Sequence, residues 1–230
     1  IAIRRGPMKT PESGTEVFDV NTYTASRGPG NKQTTGFPVD LAVVAPRSGT
    51  DSWKHGFVAR LTGGRNYLRS NNTSAEDSLS AGLALDDMTG YEFEGQPFNN
   101  SVPSDMYNLN FRRAPGFFDV VAYEGNGTAG RNVSHNLGVA PEMMIFKRRN
   151  NTGSWSAWHK DLTTPSQAYV FLNLTNAQST ATTIWNNTYP ALESSFVVGS
   201  ISNVNSSGDD YIAYLFATLP GVSKVGSYTG

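Results

Sequence analysis

Apolar residues along this chain alternate with polar ones or form short blocks, and the spacing typical of amphipathic helices is scarce. Residues 39–44 are an apolar run interrupted by one Asp, and residues 141–146 are a similar run that leads into three basic residues. Short apolar blocks bounded by Gly, Ser, Thr and Asn predict buried strands joined by turns. The pattern predicts further strands over residues 53–61, 67–69, 91–95, 106–111, 117–123, 154–162, 169–174, 196–199, 211–217 and 222–228, and a loop or single helical turn over 74–79.

So many short strands with turn signals between them are typical of an all-β fold. We expect antiparallel β-sandwiches of the jelly-roll or concanavalin-like type, with little helix.

The same pattern of residues occurs twice along the chain. Matching residues stand 102 or 105 positions apart, among them Asp40 and Glu142, Trp53 and Trp155, Tyr67 and Tyr169, Phe111 and Phe216, Pro115 and Pro220, Gly116 and Gly221. A period near a hundred residues is too long for a solenoid repeat and suits a whole small domain. The sequence therefore predicts a tandem array of one domain.

Further matches between the ends and the middle of the chain define the units. We expect the end of a preceding unit over residues 1–16, a first β-sandwich over 17–116, a second over 117–222, and the start of a following unit over 223–230. The candidate joints between units are the pairs Pro115-Gly116 and Pro220-Gly221, because proline removes a ladder donor and glycine relaxes a turn. Joints this short predict rigidly abutting units.

Composition narrows the function classes. Hydrophobic residues make up 38% of the 230 positions, enough for two cores, and charged residues only 16%, with Asn, Ser, Thr and Gly in their place. A net charge of −1 disfavours nucleic acid as a partner. The chain has no cysteine and no apolar run long enough for a membrane span, so neither thiolate metal sites nor membrane insertion is expected.

Three segments carry a resemblance to a known family: residues 111–123, residues 134–144, and residues 211–217 with 222–230. Together they resemble the repeated domains in virion appendages of tailed bacteriophages, especially tail-fibre-like proteins of marine and cyanobacterial phages. The resemblance implies a virion location, a β-sandwich fold, and partnership with other virion proteins and with copies of the chain itself, as a homo-oligomer such as a trimer. It carries no site residues with it.

Sugar contact is the strongest candidate for recognition by this chain. Lectin-type sites stack an aromatic ring on a sugar and hold its hydroxyls with Asn or Asp. Trp158 and Trp185, with Asn186 and Asn187 beside the latter, fit that description, and a host-surface glycan would be the ligand. The competing interpretation is that these tryptophans fill the sandwich core.

Catalytic and metal sites are weaker candidates. The acidic pairs Asp86-Asp87, Glu92/Glu94 and Asp209-Asp210 could in principle cleave a glycan, and Glu92 and Glu94 would share one face of a strand. Of the three histidines, His55, His135 and His159, only the last has a partner in sequence, Asp161. The loop Asn203, Asn205, Ser207, Asp209 and Asp210 offers oxygens for Ca²⁺ without the EF-hand spacing. In each case a plain structural role is favoured, so no catalytic residue, cofactor or metal is predicted.

The basic residues Arg4-Arg5, Arg112-Arg113 and Lys147-Arg148-Arg149 are regularly placed along the chain. Solvated strand ends explain them, and contact with acidic groups of a neighbouring unit is the sharper alternative.

The leading hypothesis is a non-enzymatic structural segment of a phage tail fibre or other virion appendage. The alternatives are an extracellular carbohydrate-binding module array and a glycan-degrading tailspike segment.

Overall fold

The computed structural model describes residues 8–24, 30–47, 55–79, 81–95 and 105–228. Within these ranges the first predicted unit contains nine strands: β1 (Phe18–Thr24), β2 (Asn31–Thr34), β3 (Leu41–Pro46), β4 (Gly56–Ala59), β5 (Asn66–Arg69), β6 (Asp77–Ser78), β7 (Leu83–Ala84), β8 (Gly90–Phe93) and β9 (Asp105–Phe111). The second contains eight: β10 (Phe118–Glu124), β11 (Arg131–Ser134), β12 (Met143–Arg148), β13 (Ser156–His159), β14 (Ala168–Phe171), β15 (Ser179–Thr180), β16 (Ser195–Val198) and β17 (Asp210–Phe216). The only helical segments in the described ranges are two 3-10 turns, Gly14–Glu16 and Arg60–Thr62.

Each unit has one large and one small antiparallel sheet. The large sheets have the strand orders β1-β9-β3-β4-β5-β6 and β10-β17-β12-β13-β14-β15, so they have the same topology. The small sheets are β2-β8-β7 in the first unit and β11-β16 in the second. The predicted all-β, antiparallel fold is confirmed, and the jelly-roll or concanavalin-like topology stays a prediction.

Strand alternation sorts the apolar side chains into three cores. On β3, Ala42 and Val44 point to the small sheet of their own unit, whereas Leu41 and Val43 point to the other unit. The strand β12 behaves likewise, with Met144 and Phe146 inside its unit. Successive side chains of a strand point to opposite faces, so the two large sheets lie back to back in the middle of four layers. This double burial explains why these strands are continuous apolar runs.

The strand predictions fail in three ways. Residues 77–78, expected in a loop or helical turn, form the short strand β6. Residues 222–228 do not repeat β10 as expected: apart from a bridge between Leu219 and Ser223, they form no strand. The short strands β2, β7, β11 and β15 are missing from the prediction, because two to four residues carry too little periodicity to recognise.

One predicted pairing between the units is wrong. In the hairpins, Leu41 is opposite Ala59 and Met143 is opposite His159, so the register shifts by two residues between β3 and β4. Ser70 N–H donates to His55 O and Leu172 N–H donates to Trp155 O, both at 3.0 Å. The structural counterpart of Trp155 is therefore His55, and Trp53 lies outside the described residues. The hairpin of the first unit is two residues longer, and the next connection is two residues shorter.

Candidate functional site at the junction of the two units

The junction of the two large sheets is built around aromatic side chains. The ring of Trp155, from the second unit, lies 4.9 Å from the ring of Phe57, from the first, and 6.3 Å from Tyr214. Trp155 is completely buried, and its Nε1–H donates to Arg69 O in the first unit at 2.8 Å. A large side chain that both fills the interface and satisfies its polar atom there fixes the two units against each other.

Hydrogen bonds and an ion pair join the two units at the rim of the same interface. Arg149 donates to both carboxylate oxygens of Glu76, Nε at 3.1 Å and Nη2 at 2.7 Å, and Glu76 N–H donates back to Arg149 O at 2.6 Å. Gly153 N–H donates to Thr73 O at 2.8 Å. Arg149 is the last residue of the basic triplet Lys147-Arg148-Arg149. Its ion pair with Glu76 is the contact with an acidic group of a neighbouring unit that the sequence offered as an alternative to a solvated strand end. Arg148 instead pairs with Asp209 of its own unit at 2.8 Å, and the doublet at residues 4–5 lies outside the described residues.

Lys147 is a buried cation at this interface. Its side chain is completely buried on the face of β12 that meets the first unit, and Nζ donates to Arg148 O at 2.9 Å and to Thr73 O at 3.4 Å. Burial, and after it the charge of Arg148, lowers the pKa of Lys147 to about 8. Desolvation disfavours the charged form, and no carboxylate pairs with this ammonium among the described residues.

The two predicted joints have the same geometry. In each, the residue after the Pro-Gly pair donates its N–H to the residue before it: Phe117 to Ala114 at 3.2 Å and Val222 to Leu219 at 2.9 Å. Gly116 and Gly221 have φ of +74° and +78°. Proline followed by a glycine of positive φ, closed by this hydrogen bond, is a type II turn.

An acidic residue just before β3, and another just before β12, ties the nearby joint to its large sheet. Asp40 accepts the N–H of Arg113 at 2.8 Å, and at the matching position Glu142 accepts the hydroxyl of Thr218. Asp40 also pairs with Arg60 at 3.2 Å and Glu142 with Lys160 at 3.2 Å. The repeated residues Asp40 and Glu142 thus have one structural role in both units.

The two joint glycines should differ in their tolerance of a side chain. We expect Gly116→Ala to lower the free energy of unfolding by about 2–3 kcal/mol, because a left-handed residue costs about 1–2 kcal/mol and the new Cβ also crowds a neighbour. That Cβ would lie 3.2 Å from Leu219 Cδ1. The new Cβ of Gly221→Ala would meet nothing within 4 Å, so this variant should lose only the free energy that the left-handed backbone costs. Urea unfolding of both variants checks the order, and equal losses would contradict it.

A cleft of about 440 Å³ remains between the two large sheets. Its walls are almost entirely apolar and come from both units, with Leu41, Phe57, Ile145 and Phe216 among them, and His55 at its edge. His55 Nε2 lies 2.6 Å from the hydroxyl oxygen of Tyr107.

The structure argues against the two tryptophans predicted to contact a glycan. Trp158 and Trp185 are completely buried, and their Nε1 groups donate to Pro165 O and Ala168 O at 2.8 Å. A buried ring has no face to offer a sugar, so the competing interpretation, core packing, describes both. Asn186 and Asn187 are exposed with φ of +54° and +52°, so their positions are those of a tight turn.

An exposed aromatic does lie beside that turn. Tyr189 is 45% exposed and packs edge-on against Trp158, with ring centroids 5.3 Å apart. Burial of part of its ring raises the pKa of Tyr189, and the nearby charge of Lys160 opposes that rise. The sequence pattern does not single out this tyrosine, because nothing in its surroundings distinguishes it from the core aromatics.

The remaining candidates are held in structural contacts. Asp87 pairs with Lys32 at 2.7 Å, and Glu94 with Arg65 at 2.8 Å. His135, which is 7% exposed, accepts Leu137 N–H through Nδ1 at 3.2 Å, and its Nε2 lies 3.0 Å from Leu192 O, so both ring nitrogens serve the fold. His159 Nδ1 lies 3.8 Å from the Asp161 carboxylate.

The loop that offers oxygens for Ca²⁺ is held in place by Asn205. Asn205 is completely buried, and its amide nitrogen donates to Gly199 O at 2.8 Å and Thr128 O at 2.9 Å while its oxygen accepts Asn126 N–H at 3.0 Å. The amide of Asn205 therefore holds the loop in place, and both its nitrogen and its oxygen are already engaged in hydrogen bonds. Within the described ranges, no group of three or more His, Cys, Asp or Glu residues could hold a metal ion.

Comparison with known proteins places the second unit in a family. The model of the family DUF7483, a domain of unknown function, matches residues 110–230, just over half of the chain. The chain belongs to this family. The match begins within β9 and covers the first joint, the whole second sandwich and the second joint. No curated protein matches the chain, and no solved structure does either. Among the described residues, no helix is long and apolar enough to cross a membrane.

Proposed function

We propose that this chain is a structural segment of a tail fibre or other virion appendage of a tailed bacteriophage, in which two sandwiches act as one rigid block. The common core of the two units carries the rigid block, and the virion location rests on the resemblance of the sequence to phage appendage repeats. Side chains of both large sheets form a single apolar cluster, which joins Val43 of the first unit to Trp155 and Tyr214 of the second.

Burial on both faces of the large sheets supports a mechanical role. A flexible string of domains would need linkers and small, polar contacts between units. Here the joint is one type II turn, and the interface combines an apolar core with the Arg149–Glu76 ion pair. A load applied to the chain would therefore meet one cooperative body, which suits an appendage exposed outside the cell.

Immunogold labelling tests the location. Antibodies raised against residues 1–230 should decorate a tail appendage of the phage that encodes the chain, in negatively stained virions. Label confined to the capsid, or absent from virions while present in infected cells, would overturn the proposed location.

Force spectroscopy tests the mechanical block separately. When the chain is pulled from its ends, residues 17–222 should unfold in one event. The contour length should then increase by about 70 nm, at about 3.5 Å per residue. Two separate events of about 35 nm each would show that the units unfold independently, and would contradict the rigid block.

A further inference from the structure

Six polar side chains meet between the two sheets of the first unit, where the second unit has five apolar residues and one carboxylate. Pairing of β1 with β9 sets Asp19 opposite Asn110 and Asn21 opposite Asn108. Pairing of β2 with β8 sets Gln33 opposite Tyr91 on the facing sheet. We call this set the polar cluster: Asp19, Asn21, Gln33, Tyr91, Asn108 and Asn110.

The amide nitrogens of the cluster all have protein acceptors. Asn110 Nδ2 donates to Asn21 Oδ1 at 2.9 Å, and Asn108 Nδ2 donates to Gln33 Oε1 at 3.4 Å. The nitrogens of Gln33 and Asn21 donate outside the cluster, to Asn31 Oδ1 at 2.7 Å and Thr34 O at 3.4 Å. These bonds fix which end of each amide is the nitrogen and which is the oxygen. The side-chain oxygens of Asn108 and Asn110 are therefore left as hydrogen-bond acceptors.

Four buried oxygen atoms of the cluster have no hydrogen-bond partner among the described residues: Asp19 Oδ2, Tyr91 Oη, Asn108 Oδ1 and Asn110 Oδ1. Tyr91, Asn108 and Asn110 are completely buried. Unpaired polar atoms at such a depth are costly, and buried polar groups in proteins are paired with few exceptions.

The second unit shows that the fold does not require these polar groups. At the matching positions of β10 and β17, Leu215 faces Asp119 and Ala213 faces Val121. On its small sheet, Val133 faces Phe196 where the first unit has Gln33 and Tyr91. The same sandwich is therefore built with five apolar residues in place of the polar ones.

The shared carboxylate also differs between the units. Asp119 accepts Val120 N–H at 2.9 Å and Asn136 N–H at 2.7 Å, and pairs with Arg113. At the position that matches Asn136, Gly36 N–H donates instead to Thr89 O at 3.1 Å. Asp19 Oδ2 therefore lacks the backbone donor that its counterpart has.

We propose that the first unit binds one monovalent alkali-metal cation between its sheets, with Asp19, Asn108, Asn110 and Tyr91 as oxygen ligands. Three acceptor oxygens and a phenol call for a hard cation, which oxygen ligands suit. The single carboxylate of Asp19 balances one positive charge, whereas a divalent ion would leave a buried charge uncompensated.

Thermal unfolding of the full chain in different salts tests the site. At equal ionic strength, NaCl or KCl should raise the melting temperature above that in choline chloride by roughly 5–10 °C once the ion exceeds its Kd about a hundredfold. Crystals soaked in a thallium(I) or rubidium salt should show an anomalous peak among the four oxygens. Comparison of the melting temperatures in NaCl and KCl shows which of the two ions the site prefers.

Variants taken from the second unit provide matched controls. The double variant Asn108→Ala/Asn110→Leu copies the apolar residues of β17 and should fold without any response to the cation. Asp19→Asn should lose the response, whereas Asp119→Asn should keep it even though it loses ion pairing. Identical melting in choline, Na⁺ and K⁺, a response to Ca²⁺ alone, or density for water only would overturn the proposal.

Discussion

Replacing Trp155 with Ala is expected to lower the free energy of unfolding by about 3–5 kcal/mol and to divide one unfolding transition into two. The side chain is completely buried between the units, against Phe57 and Tyr214. Its loss leaves a cavity and also removes the donor to Arg69 O. Because these contacts join the units, their loss should uncouple the two sandwiches. Calorimetry, with the ratio of calorimetric to van't Hoff enthalpy, measures the coupling.

Trp185→Ala is the matched control for that substitution. Trp185 is equally buried, and its Nε1–H also donates to a backbone oxygen at 2.8 Å, but that oxygen belongs to Ala168 of the same unit. The control should lose comparable stability within the second sandwich while the interface stays intact. If both variants unfold with the same cooperativity, Trp155 does not couple the units.

The sequence predicted the fold class well because strand alternation and turn residues are local signals. The turns at Pro115-Gly116 and Pro220-Gly221 were also predictable, since a Pro-Gly pair has the local chemistry of a type II turn. The large strands could be recognised as buried, although their apolar runs do not tell which face meets which partner. That choice depends on the packing of the two units, which is not encoded in any short segment.

The candidate recognition residues were harder to predict for a related reason. Trp185 lies among Asn and Thr residues, a context typical of an exposed loop, yet it is completely buried because the turn at Asn186 and Asn187 folds it onto Phe146. The pairing of Trp53 with Trp155 followed identity, whereas the hydrogen-bond register pairs Trp155 with His55. Two compensating loop lengths hide such a shift from any comparison made at a fixed separation.

The polar cluster could have been found by aligning the two units strand by strand. Asn108 and Asn110 alternate on β9 where Ala213 and Leu215 stand on β17. Two Asn on the inward face of a central strand are a signal, because buried amides need partners. The signal is visible only once the inward face is known, and that face follows from the structure.

The second large effect concerns Lys147, whose replacement by Met should stabilise the protein by about 1–3 kcal/mol at pH 7. The buried ammonium has a pKa of about 8, below its ordinary value of 10.5, so the folded state disfavours the charge. Methionine fills similar volume without that cost. The carbonyl of Thr73 keeps a partner in the variant, because it also accepts Gly153 N–H at 2.8 Å.

The pH dependence of stability distinguishes this explanation from a simple gain in packing. Below pH 8 both folded and unfolded chains hold the proton of Lys147, and the burial penalty is fully present. Between pH 8 and 10.5 the unfolded chain binds more protons, so stability should rise with pH, by at most about 1.4 kcal/mol per unit. Buried tyrosines such as Tyr214, whose pKa burial raises, oppose this rise near pH 10, so urea unfolding is best measured from pH 7 to about 9.5. The Lys147→Met variant should lose the rise and the exposed-residue control Lys224→Met should keep it, whereas a rise that persists in Lys147→Met would assign it to another group.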